Sequence, residues 1–139
     1  MSTIPHQNFT RLLSLLPDLA TFEAGHYLRF EAGPAFMPLS IDVLFREGQS
    51  IRLAMAHNFK MNGDLVPDPD MELLVDCSAG TVEALTFQDQ RAYREVYPRP
   101  GVVDQKLRDD LNAFISLWLG NIKAQGYQLV RNETPDEDN

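Results

Sequence analysis

The stretch LSIDVLFREGQSIRLAMAHNFK, residues 39–60, decides the fold. Leu39, Ile41, Val43 and Phe45 recur at every second position, with Ser40, Asp42 and Arg46 among the residues opposite. Successive side chains of a strand point to opposite faces, so this spacing predicts a strand with one buried side. Gly48 lies in the turn from Glu47 to Ser50. Beyond it Ile51, Leu53, Met55 and Phe59 alternate with Arg52 and Lys60, giving the second arm of a hairpin with His57 on its apolar face.

Working outward, HYLRFE (His26 to Glu31) reads as a strand ended by the turn residues Ala32-Gly33-Pro34. On the other side, Met71, Leu73 and Val75 alternate with Asp70, Glu72 and Asp76. Ser78-Ala79-Gly80 then turns the chain into VEALTFQ (Val82 to Gln88), a second hairpin. A further extended piece, Tyr93 to Tyr97, is closed by Pro98 and Pro100. Helical spacing brackets these strands. Phe9, Leu12, Leu13 and Leu16 form a short stripe stopped by Pro17, and Leu107, Leu111, Phe114, Ile115, Trp118, Leu119 and Ile122 form a long one between the caps Asp104 and Gly126. The connections between strands are too short for crossover helices. The expected fold is α+β: an antiparallel β-sheet of about five strands packed by an N-terminal helix and a long C-terminal helix.

One domain over residues 1–131 suits the length, with residues 132–139 an acidic tail expected to be disordered. The chain carries 20 acids and 12 bases, a net charge of −8. Four acids fall in that tail, leaving 16 against 12 in the body, so half of the net charge is a solvated end. The single Cys77 cannot form an internal disulfide and suits a reducing compartment, and no stretch is apolar for long enough to span a bilayer. The expected setting is cytoplasmic, with no membrane association.

The densest group of special residues is MNGDLVPDPDM, residues 61–71. Asn62-Gly63 supports positive φ, and Pro67 and Pro69 each fix a backbone angle, so the segment reads as a loop built to hold one shape. Asn62, Asp64, Asp68 and Asp70 offer oxygen ligands of the kind Mg²⁺ or Ca²⁺ takes, but the spacing is not that of a calcium-binding loop, and turn chemistry is the preferred reading. His57 could serve as a base or a ligand with His26 and Cys77, yet no spacing brings these together, so a hydrogen-bonded core histidine is preferred. Asn58 then projects from the opposite face. Asp70 and Glu72 share a strand face and complete the candidate binding set of His57, Asn58, Asn62, Asp64, Asp68, Asp70 and Glu72. No catalytic residue, metal ligand or cofactor is assigned. Arg91, Arg94 and Arg99 with Tyr93 and Tyr97 form a basic aromatic patch that Asp89 and Glu95 interrupt, so no direct nucleic-acid binding is expected.

The succession HNFKMNGDLVPDPDME, LTFQ, YREVY and LNAFISLWLGNIKAQGY resembles a family of small uncharacterised bacterial proteins, a domain of unknown function, over about residues 27 to 127. The shared pattern is H…NGD…DPxM, then FQ, then YxxVY, then LNxFxxxWLxN. The resemblance implies encoding on plasmids and integrative elements, and it carries over no catalytic residues.

These readings lead to a small, acidic, non-enzymatic interaction module that binds a protein partner, as an accessory or counter-defence (anti-CRISPR-like) factor of a mobile element. A DNA-mimic inhibitor of a nucleic-acid enzyme and a small metal-dependent hydrolase centred on His57, Asp64 and Asp70 are the alternatives. Exposed strand edges permit a homodimer.

Overall fold

The computed structural model describes residues 3–135, apart from the side chains of residues 60, 61 and 65–67. Helix α1 spans Ile4–Leu15, with the Thr3 hydroxyl accepting from the His6 N–H at its start. A 3-10 turn follows at Leu19–Thr21. Five strands come next: β1 (Tyr27–Glu31), β2 (Leu39–Glu47), β3 (Ser50–Met61), β4 (Asp64–Asp76) and β5 (Thr81–Gln88). A short β6 (Tyr93–Glu95), helix α2 (Gln105–Ala124) and β7 (Gln128–Glu133) complete the order. The strands make one antiparallel sheet of seven, not about five, in the order β6-β5-β4-β3-β2-β1-β7.

Strand β7 accounts for most of the difference. Every one of its residues is exposed, so it lacks the buried alternation by which the others are recognised in sequence. It pairs with β1 and carries the sheet through Asn132 and Glu133, two residues into the stretch read as tail. Residues 136–139 of that tail lie outside the described residues.

Both helices pack on one face of the sheet. Leu39, Ile41, Leu53, Met55, Met71 and Leu73 are completely buried from the sheet side, and Leu12, Ile115 and Ile122 meet them from the helices. Burying one such side chain stabilises the fold by about 1.5–3 kcal/mol. The stripe on α1 differs from the expected one: Leu12 is fully buried, but Leu13 is 37% exposed, and the second fully buried position of the helix is Asn8. Its amide donates to the carbonyls of Val82 (3.4 Å) and Asn112 (3.1 Å), while Asn112 Oδ1 accepts from the Ala84 N–H at 2.8 Å. Two buried amides thus clasp α1, α2 and β5, satisfying the Val82 carbonyl and the Ala84 N–H of the strand.

Bulges set which residues face which side. Leu44 has no partner in β3, and the faces of β2 exchange there. Phe45, expected on the buried face, pairs with Arg52 and is 52% exposed. Arg46 instead takes the helix side, where its Nη1 donates to the carbonyls of Ala20 (2.6 Å) and Phe22 (2.8 Å). Those bonds fasten the 3-10 turn to the sheet.

The central loop expected over residues 61–71 is a continuation of the hairpin. Asn62 (φ 54°) and Gly63 (φ 89°) form a two-residue turn of the mirror-image kind that matches strand twist, and β4 starts at once. Pro67 and Pro69 are tolerated because β5 pairs with β4 only from Asp70 onward. Before that point one edge of β4 has no strand beside it, and a missing N–H breaks no ladder bond there.

Candidate functional site

His57 and Asn58 are adjacent in β3, opposite a bulge in β4, and by the alternation of β3 they face opposite sides of the sheet. His57 turns toward α2. The Trp118 Nε1–H donates to its Nδ1 at 3.1 Å, and the Trp118 and Tyr127 ring centroids lie 5.4 and 5.7 Å from its own. An indole can only donate, so Nδ1 is the bare nitrogen and the ring proton resides on Nε2, a buried atom with no hydrogen-bond partner among the described residues. Burial pushes the imidazole pKa below its usual 6.5, because this pocket disfavours the charged ring. His57 is thus a half-buried histidine that accepts a hydrogen bond from α2. His26 is bonded elsewhere, to Asn132 Oδ1 at 2.6 Å, and Cys77 is a half-buried free thiol whose pKa burial raises.

The remaining candidates divide between the open face and the hairpin tip. Asn58 donates to Ser40 Oγ at 3.0 Å on the side of the sheet that no helix of the described residues covers. Asn62 and Asp64 are exposed where the chain reverses, Asp68 lies in the bulge, and Asp70 and Glu72 return to the open face. The sheet therefore stands between His57 and Asp70, and these two do not form one centre. Among the described residues no three His, Cys, Asp or Glu side chains are placed to hold a metal ion. No helix there is long and apolar enough to cross a membrane.

Register assembles the open face into rows. One row runs Tyr27, Asp42, Ala54, Glu72, Thr86, Glu95, and the next runs Arg29, Ser40, Ala56, Asp70, Gln88, Tyr93. Asp42, Asp70 and Glu72 thus surround the small side chains Ala54 and Ala56. Arg52 neutralises Glu72 through a 2.7 Å bond from its Nε. Asp42 and Asp70 have no such partner among the described residues. Desolvation raises the pKa of both, and the charges of Glu72 and Asp42 raise that of Asp70 further. Phe45 and Leu74, which flank Arg52, are 52% and 38% exposed, and Tyr93 is 54% exposed.

Asp42 was not among the sequence candidates. The signal was present in two turns: pairing outward from Gly48 sets Asp42 near Ala54, and pairing outward from Asn62-Gly63 sets Ala54 near Glu72. Each bulge moves that register by one residue.

Comparison with curated proteins and with solved structures found no match to this chain. A family comparison did, and its match takes in α1 from residue 7, all of α2 and the sheet from β1 to β6 but almost none of β7. On that match the chain belongs to the family described as Domain of unknown function (DUF6908), over residues 7–128.

Proposed function

We propose that the chain is a non-catalytic interaction module that binds a cationic surface of a protein partner through the uncovered face of its sheet. The observation that carries this reading is the juxtaposition of Asp42 and Asp70 around Ala54 and Ala56. Two carboxylates with no ion-paired base among the described residues sit beside the small side chains of Ala54 and Ala56. An arginine or lysine entering there would gain charge-assisted hydrogen bonds and relieve the cost of holding the acids together. Phe45, Leu74 and Tyr93 supply exposed apolar anchors around these residues, the arrangement in which a few residues dominate binding. The resemblance to proteins of plasmids and integrative elements supports an accessory or counter-defence role in the bacterial cytoplasm.

The position of His57 favours this reading over a hydrolase, since the sheet separates it from Asp70. A DNA mimic would use the same acidic face and is distinguished by its partner. The test is zero-length carbodiimide crosslinking of the wild-type chain in a bacterial lysate. The expected result is one reproducible partner whose lysines are joined to Asp42, Asp70 or Glu72. Crosslinks confined to other acids of the chain refute the proposal. Displacement of the partner by duplex DNA would mark the DNA-mimic alternative.

A further inference from the structure

We propose that the groove between α1 and α2 binds a small amphipathic carboxylate, with its head group held between Arg11 and Lys123. The groove has a volume of about 550 Å³, within the range of small-molecule sites. Arg11 and Lys123 line it with the hydroxyl-bearing Thr10 and Ser14, and Leu119 and Ile122 form apolar wall. No acidic side chain lines it.

That charge balance is unusual in a chain of net charge −8. Arg29, Arg46, Arg52, Lys106, Arg108 and Arg131 each have a carboxylate within ion-pair distance. Among the described residues Arg11 and Lys123 have none, as also Arg91, Arg94 and Arg99, but Arg94 lines a cavity with Glu95, Asp104 and Asp110, whereas Arg11 and Lys123 line one without acids. Arg11 is held in place all the same, since its Nη1 donates to the Ser116 carbonyl (2.6 Å) and hydroxyl (3.0 Å), which leaves its other N–H groups for a ligand. Gly120 of α2 lies beside it on the groove wall, where a Cβ would come within 3.5 Å of Arg11 Nη1, an ordinary contact distance.

A second cavity of about 360 Å³ adjoins the first, sharing Ser14, Leu15 and Tyr127 with it. Leu16, Leu28, Phe30 and Leu129 line this second space. An anionic head at the two cations and an apolar tail running toward Phe30 would fit the sequence of surfaces. A free inorganic anion would leave the apolar part unused.

Sodium dodecanoate, titrated into the ¹⁵N-labelled full chain below its micelle concentration, tests the proposal. Amide shifts should centre on residues 10–15 and 119–123, with acetate and dodecyltrimethylammonium causing none there. Lys123→Gln changes an exposed side chain and should weaken binding about tenfold, and Arg11→Gln should act similarly. The fold of each variant is checked on its own amide spectrum, and Lys123→Gln alone suffices should Arg11→Gln loosen the helix pair. Equal binding of the cationic amphiphile, or dodecanoate binding unchanged in Lys123→Gln, overturns the proposal.

Discussion

Replacing His57 with glutamine should remove a defined part of the pH dependence of stability. Glutamine keeps an acceptor for the Trp118 N–H and does not titrate. In the wild type the pocket holds the imidazole pKa below 6.5, so on acidification the unfolded chain takes up this proton before the folded one. The stability linked to His57 is therefore complete above about pH 6.5 and is lost as pH falls from there toward the folded pKa. Between those two limits the loss approaches about 1.4 kcal/mol per pH unit. Asp42 and Asp70 act in the opposite sense, because their raised pKa values let the folded state gain protons first, and they act nearer the carboxylate range. Urea unfolding of wild type and His57→Gln between pH 7.5 and 5.5 isolates the histidine, since subtraction cancels every other group. The wild type should lose stability relative to the variant as pH falls. Parallel curves would refute the assignment of a half-buried, neutral ring bonded through Nδ1.

Three further outcomes follow from the fold. Asn112→Ala leaves the Ala84 N–H buried without an acceptor and should cost about 1–3 kcal/mol in urea unfolding. Gly63→Ala puts a Cβ on a residue with φ of 89° and should cost about 1–2 kcal/mol by the same measurement, while the core amide resonances stay in place. Arg46→Met removes the donors that hold the Ala20 and Phe22 carbonyls, and hydrogen exchange should accelerate at the Thr21 and Phe22 amides before it does in β3.

Periodicity made the long helix and the first hairpin legible, because α2 buries the stripe its spacing marks and β3 keeps Ile51, Leu53 and Met55 on one face. It could not place Phe45. An alternating pattern carries no mark of an inserted residue, and only the pairing of β2 with β3 shows that Leu44 is the extra one. Pro67 and Pro69 argued for a loop on local grounds, yet whether a proline disrupts a strand depends on which edge has a neighbour, and that is settled by β5. Strand β7 lies at an edge with all its residues exposed, so burial never wrote a pattern into it. The candidate site was half legible for the same reason: alternation separates His57 from Asn58, but bringing Asp42 beside Asp70 requires cross-strand register through two bulges.

The most direct test of the open-face proposal compares two variants with the same change in net charge. Asp42→Asn with Asp70→Asn alters the sheet face, and Asp109→Asn with Asp110→Asn alters exposed positions on α2. Affinity for the crosslinked partner, measured with purified proteins at physiological salt, should fall about tenfold or more for the first pair and stay near wild type for the second. An equal loss for both pairs would reduce the interaction to net charge, and an undiminished affinity in the sheet-face variant would contradict the proposed site.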